Sequence, residues 1–444
     1  MSVNKNIFFA HLKTPLLAIL CGVLFFFSTN KIVAQTLTTS PYSRYGIGDI
    51  TQTNSAQSQA MGGIEQALRL PFGINYNNPS SYSAIELSTF QAGVKLSYLK
   101  QSTNTQTQKT KNGYLSSIAF GIPLKKGWGM SFGLLPYSGV GYKVNQEKVL
   151  DNIGQVYYIS NGSGGLNRVY VGTGISPFVN KADSSWLKGF SIGANASYIF
   201  GNIEYENRVI FPDGPTTFYH NLREVNVTTL GDFYFDYGLQ YRSKLKRDWW
   251  LTIGATAAAQ TKLKASNSYL AQTFTIANGY EYGADTVLIY NDRKGKIVLP
   301  TTWGLGAMLK KTEKIQFGID YKTQAWSNFS SFGKSDSLSN SSSFSLGGQF
   351  IPNPKSLAFL PNIHYRAGVN YTSTYLNIHS HQLTQQSINF GAGFPLFRSK
   401  SFINVAFQYG TRGTLQDNLI KENFYSINIG FSFCDRWFIK RKFD

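Results

Sequence analysis

Along most of this 444-residue chain, large apolar side chains fall at every second position. Near the C-terminus, "FYSINIGFSF" puts Tyr425, Ile427, Ile429, Phe431 and Phe433 on one face, and Ser426, Asn428, Gly430 and Ser432 on the other. "SFINVAFQYG" sets Ile403, Val405, Phe407 and Tyr409 against Asn404, Ala406, Gln408 and Gly410. "DFYFDYGLQYR" sets Phe233, Phe235, Tyr237, Leu239 and Tyr241 against Tyr234, Asp236, Gly238, Gln240 and Arg242. A period of two is the signature of a strand. It recurs in "KIQFGIDYK", "IHYRAGVNY" and "GFSIGANASY". In a water-soluble sandwich the apolar face would be the core. So many successive strands of one type instead predict an all-β transmembrane antiparallel barrel, with apolar side chains toward lipid and small or polar ones toward a lumen.

The alternation predicts about fourteen strands, beginning near Phe90, Leu115, Trp128, Asn167, Gly189, Asp232, Trp249, Thr302, Lys314, Ser343, Ile363, Gln386, Ser401 and Phe424. Short basic links, "LKKG", "SKLKRD", "KKTEK" and "FRSK", take turns with long ones around 103–112, 144–165, 208–231, 265–299 and 326–342. Short periplasmic turns alternating with long external loops are the barrel pattern, and they put both chain ends in the periplasm. Trp128, Trp249, Trp250, Trp303 and Tyr375 lie near strand ends and fit the interfacial girdles, a buried core role being the alternative for several of them.

The N-terminus supports export. "MSVNKNIFFAHLK" is basic and acid-free, an apolar core follows from Pro15 to Phe27, and "KIVAQ" offers cleavage after Ala34. Residues 1–34 are therefore expected to be a signal peptide, the apolar core being shorter than the roughly 20 residues of a spanning helix. Leu20 before Cys21 argues against lipidation, and cleavage leaves Cys434 as the one cysteine, with no intramolecular disulfide. The 27 Tyr, 33 Phe and 42 Gly, with 15% charged residues, fit a β-rich protein of the bacterial outer membrane. The formal charge of +19 is spread along the chain and not gathered on a nucleic-acid-binding motif. Outer-membrane lipid and lipopolysaccharide phosphates are the expected counter-charge, with no nucleic acid partner.

Residues 35–89 lack long alternation, and 90–433 carry the barrel, leaving 434–444 as a short basic periplasmic tail. Within the leading segment, "AMGGIEQAL" (60–68) followed by "INYNNPSS" (74–81) resembles the N-terminal hatch of FadL-type outer-membrane transporters. The resemblance implies a hatch inside a fourteen-stranded barrel, with Met61, Gly62, Gly63, Asn77, Asn78 and Pro79 as its motif. Gly62 and Gly63 suit a tight turn, and Asn78-Pro79 an extended step or turn. The alternative is a packed N-terminal loop. The third strand, "WGMSFGLLPYSGVGYKV", carries Pro136, Gly139 and Gly141, which predict a kink or bulge. The resemblance implies that such a kink opens a lateral gap.

Lys95, Arg168, Asp236, Arg242, Asp320, Lys322, His364 and Arg366 are turned toward the lumen by the alternation. Most are expected to pair structurally, while Lys95, Arg242 or Arg366 could receive a ligand carboxylate. The "HSH" at 379–381 would put two rings on one face of a strand, yet no carboxylate or Cys cluster accompanies it, and no metal or cofactor is expected. With no nucleophile elbow, Walker A or GxGxxG motif, an enzyme is not expected, and "NGSGG" (161–165) reads as a turn of an external loop. The resulting expectation is passive uptake of a hydrophobic small molecule such as a long-chain fatty acid, captured by external loops and released sideways through the third strand. Two alternatives stay open: a FadL-like barrel that partners secretion-machinery protein, as in type IX secretion, and a structural or porin-like barrel.

Overall fold

The computed structural model describes residues 36–181, 186–212, 219–246, 248–312, 314–354, 356, 358–397 and 399–437. The expected signal peptide and most of the basic tail lie outside them. The short strand β1 (Asp49–Ile50) and the helix α1 (Ala56–Ala60) precede the wall. The wall begins with β2 (Ser88–Ser102) and β3 (Thr107–Lys125). It continues through β4 (Trp128–Gly139), β5 (Tyr142–Leu150), β6 (Gly154–Ile175), β7 (Phe190–Ile210) and β8 (Asn221–Lys244). Next come β9 (Trp249–Ala258), β10 (Thr261–Ala277), β11 (Tyr280–Leu299), β12 (Thr302–Lys311), β13 (Ile315–Gln324) and β14 (Ser330–Ser331). The wall ends with β15 (Ser341–Phe350), β16 (His364–Ile378), β17 (His381–Pro395), β18 (Phe402–Arg412) and β19 (Lys421–Asp435).

Every pairing is antiparallel, and β19 closes on β2 from Lys421–Ser102 to Asp435–Ser88. Three crossings are each built from two segments. β4 and β5 both pair with β6, β9 and β10 both pair with β8, and β11 and β12 pair with β10 and β9 in turn. The result is a closed barrel of fourteen crossings.

The barrel is inside out, as the alternation requires. Phe233, Tyr237 and Ile388 are 58, 53 and 59% exposed on its outer face, while Asn195, Gln240 and Asn389 are 1, 0 and 1% exposed on the inner one. Closed hydrogen bonding satisfies the backbone where lipid cannot.

Strands that rise from the short-turn end begin within about two residues of expectation, as at Trp128, Trp249, Phe190 and Phe402. Several strands that descend from the external end begin well before it. β3 starts at Thr107 rather than near Leu115, β6 at Gly154 rather than Asn167, β8 at Asn221 rather than Asp232, and the eighth crossing at Tyr280 rather than Thr302. Most of the expected external loops are thus tall hairpins. From Tyr280 to Asp292 the outer half of β11 has almost every side chain exposed, so alternation has no burial contrast to record there. Its turn was nevertheless visible as Asn278-Gly279, which adopts φ of 54° and 79°.

Two girdle expectations are corrected. Tyr375 is buried inside, in an irregular stretch where the β16–β17 register shifts between Ser373 and Asn377 and Thr374, Tyr375 and Leu376 are all buried. Trp250 also faces inward, since consecutive strand residues cannot share a face, whereas Trp128 and Trp303 are exposed. His379 and Ser380 form the β16–β17 turn with φ of 51° and 65°, so "HSH" is not a strand and its two rings share no strand face.

Residues 36–87 run through the lumen from its external mouth to its periplasmic end. At the mouth, Tyr42 and Ile47 join an apolar core with Leu166, Ile199, Leu263 and Trp326. Lower down, wall glycines receive the chain at close range. A Cβ on Gly193 would lie 2.4 Å from the Pro79 carbonyl carbon, one on Gly254 1.8 Å from Gln66 O, and one on Gly368 2.3 Å from the Met61 carbonyl carbon. The inward glycines thus form a track for the hatch and do not line an open pore. A Gly193→Val substitution is expected to leave a heat-modifiable barrel while making residues 74–87 accessible to protease; a wild-type digestion pattern would show that the close approach is dispensable.

Candidate functional site

The hatch motif begins with α1. Ser55 caps the helix by accepting from Ser58 N at 3.2 Å, and the helix ends as Gly62 N donates to Gln59 O at 3.0 Å and Gly63 N to Ser58 O at 2.9 Å. Gly62 and Gly63 hold φ of 75° and 84°, a conformation that only glycine adopts without strain. Met61 is fully buried beside Ile64, Leu68 and Met308. Asn78 caps the Pro79–Ala84 turn through Ser80 and donates to Gln66 O at 2.6 Å, while Asn77 donates to Thr53 O at 2.6 Å and to Glu65.

Composition alone did not mark Gln66, which is the hub of this region. Its N–H donates to Asp320 Oδ2 at 2.8 Å, its carbonyl accepts from Gln240 Nε2 at 2.9 Å, and its side-chain oxygen accepts from Thr256 Oγ1 at 2.7 Å. Three wall strands are therefore fastened to one hatch residue. The neighbouring Glu65 N donates to the same Asp320 oxygen at 2.5 Å. Burial pushes the Glu65 carboxyl up to about 8, against the opposing effects of the Lys322 charge and the Asn77 hydrogen bond.

Of the expected lumen groups, Arg168 and Asp236 pair at 3.4 Å, and Asp236 also accepts from Asn195 Nδ2 at 2.7 Å. Arg366 donates to neutral Gln349 (2.8 Å) and Asn404 (2.7 Å), with the His364 Nδ1 3.4 Å away. Lys95, Arg242 and Arg366 do not converge. Lys95 lines a cavity of about 170 Å³ beside the hatch, Arg242 lines a cavity at the periplasmic end, and Arg366 is buried in the wall.

The third crossing is broken. β3 and β4 pair only from Lys125–Trp128 up to Ile118–Leu134. Above that level β3 pairs with β2 alone, the register on β6 slips between Pro136 and Ser138, and the strand is interrupted between Gly139 and Tyr142. The wall therefore has a vertical gap. The hatch occupies it: β1 pairs Asp49 with Gly139 and Ile50 with Ser138, and Thr51 N donates to Tyr137 O at 3.0 Å. On the opposite side, Asn112 Nδ2 donates to Leu37 O at 2.7 Å and the hydroxyls of Thr39 and Thr110 share a 2.6 Å hydrogen bond.

A buried ion cluster latches this segment. Arg412 of β18 donates to Asp49 Oδ1 at 2.8 Å, to Glu422 Oε2 at 2.7 Å and to Ser40 Oγ at 2.8 Å, and Ser40 Oγ donates to Glu422 Oε1 at 2.5 Å. Asp49 meets Arg412 across 363 residues of sequence, a pairing no local pattern could reveal.

Two outcomes are expected. Arg412→Gln leaves the buried Glu422 and the partly buried Asp49 without their cation, a loss of about 3 kcal/mol, and hydrogen exchange should rise across residues 36–50 while the wall stays protected. For Glu65, a raised carboxyl means that seating is strongest below about pH 4.5, weakens as pH rises toward 8, and levels off above it. Protease protection of residues 56–68 should follow that course and become flat in Glu65→Gln.

Comparison with known proteins agrees with this architecture. A sequence model of the BamG family matches residues 16–444. No curated protein matches the chain significantly. Among solved structures, the toluene transporter TbuX of Ralstonia pickettii is similar at a TM-score of 0.57 and 14% identity, over 86% of this chain and 98% of that one. A FadL homologue of Pseudomonas aeruginosa gives 0.55 and 11%, over 87% and 99%. The toluene transporter TodX of Pseudomonas putida gives 0.54 and 16%, over 88% and 99%. The fold is that of the FadL-like outer-membrane barrels.

Proposed function

Because this chain belongs to the BamG family and is folded as a FadL-like outer-membrane barrel, we propose that it is a hatch-gated route for hydrophobic small molecules, long-chain carboxylic acids among them. The observation that carries the reading is the gap between β3 and the broken third crossing, closed by residues 36–50 and by no wall strand. The structural neighbours described as toluene transporters support it by analogy of fold.

A carboxylated hydrophobe would enter beside the gap. Lys95 lies in the small cavity there, whose lining mixes Leu37, Leu99, Tyr114 and Phe424 with polar groups that include Asp49, Arg412 and Glu422. At about 170 Å³ the cavity is smaller than the roughly 300–1,000 Å³ of ordinary ligand pockets. Passage therefore requires the upper hatch to move, and the ligand leaves sideways, since the lower hatch fills the lumen.

The test is a reversible lock. Ile50→Cys with Ser138→Cys, in a Cys434→Ser background, joins β1 to β4 across a paired register. In proteoliposomes, uptake of a labelled long-chain fatty acid should fall to the protein-free background when oxidised and recover on reduction; equal uptake in both states would sink the proposal.

A second reading, a barrel that holds a protein partner in secretion, has its own observation. The outer edge of β11 is unpaired from Tyr280 to Gly295, and its uncharged centre carries Val287, Leu288 and Ile289, each more than half exposed. Another free edge, that of β5, is guarded by Lys143, Glu147 and Lys148. If protein binding is the function, Leu288→Lys should abolish co-purification of a defined secreted protein while the oxidised lock leaves it intact.

A further inference from the structure

At the periplasmic end the lumen opens into a cavity of about 1110 Å³ that the channel reading does not use. Its described lining contains seven basic side chains and one acid, Glu86. Lys125 and Lys126 come from the β3–β4 turn and Lys244 from the end of β8, while Arg69 of the hatch and Arg242 of β8 lie deeper. No ion pair among the described residues includes any of these five.

Arg69 is a built group and not a surface cation. It donates to Ser191 Oγ at 2.8 Å, Gln240 Oε1 at 3.1 Å and Ser83 Oγ at 3.0 Å, and its buried Nε has no partner. All its partners are neutral. Burial, with the Arg242 charge adding to it, lowers the Arg69 guanidinium to about 10. The Arg242 guanidinium is itself fixed, 4.1 Å from the centroid of the Trp250 ring.

Holding two guanidinium groups in one cavity, with neutral partners on Arg69 and an aromatic face and the Glu86 charge near Arg242, costs desolvation that no ion pair among the described residues returns. An incoming carboxylate would supply that return. A single-headed anion would compensate only the inner pair and leave the three lysines unanswered. A chain with several carboxylates can reach both levels, and the lining also offers Trp186 and Trp250 for its apolar side chains.

We propose that this vestibule receives an extended acidic polypeptide segment of a periplasmic protein, with one carboxylate on Arg69 and Arg242 and others on Lys125, Lys126 and Lys244. The site is independent of the gap at the opposite end of the lumen, so it stands or falls separately from the uptake reading.

The test uses the full chain in detergent and a fluorescein-labelled Glu/Ser peptide about twelve residues long, with a Gln/Ser peptide as control, at about 0.15 M salt. Fluorescence anisotropy should report saturable binding of the Glu peptide alone. The triple variant Arg242→Gln, Lys125→Gln, Lys126→Gln should bind about tenfold or more weakly, and Glu86→Gln more tightly than the wild type. Should the triple variant fail heat modifiability, the Glu86→Gln comparison still decides. Binding that is unchanged in Glu86→Gln, or shared by the Gln peptide, would overturn the proposal. So would displacement by one equivalent of palmitate or inorganic phosphate, which would assign the cavity to a single-headed anion.

Discussion

A wall in lipid must satisfy its own backbone, and between β3 and the third crossing this one does not. Where β3 parts from the third crossing, neither edge has a wall partner, and no water is available in the hydrocarbon to substitute. The chain resolves the defect with its own N-terminal segment: β1 supplies backbone partners to the broken strand, and residues 37–39 bridge to β3 by side-chain hydrogen bonds. The position of the hatch, the filling of the mouth and the need for a latch all follow from that repair.

The repair is possible because glycines recur on the inner face of the wall where the hatch passes. Glycines on neighbouring strands, such as Gly193 with Gly238 and Gly347 with Gly368, let hatch backbone approach the wall directly. A porin-like barrel would need charged side chains around open water, whereas here the inner face supplies carbonyl-length contacts and short polar groups. Close approach in turn forces polar satisfaction, since each hatch amide facing the wall is cut off from water. Asp320 answers two of them at once, and Gln240 and Thr256 answer further groups of Gln66.

Much of this was legible in advance, for a physical reason. Lipid on one face and a packed hatch on the other give strong contrast, so the alternation of "DFYFDYGLQYR" or "FYSINIGFSF" could be read directly. Contrast vanishes where both faces meet water, and the outer half of β11 carries none, although Asn278-Gly279 marks its hairpin. The motif glycines and Asn78-Pro79 were visible because unusual backbone needs unusual residues. Gln66, Asp49, Arg412 and Glu422 were not, because their roles depend on partners far away in sequence. Arg242 was correctly turned inward, but alternation says nothing about height, and so could not tell that it lies far from Lys95.

Height also separates the two parts of the hatch in how firmly they are held. Residues 56–84 are fastened by the Gln66 hub, the α1 contacts of Gln59 with Gln408, Ser426 and Asn428, and the glycine track. Residues 36–50 are held by a two-residue strand, an apolar patch around Ile47, the Arg412 cluster and hydrogen bonds such as those of Tyr42 with Ile420 and of Tyr375 with Gly48 O. The upper part is the one that lies at the gap in the side wall, while the lower part fills the lumen. Under the proposed uptake route only the upper part would have to move, and the barrel would expose its gap without becoming a water channel.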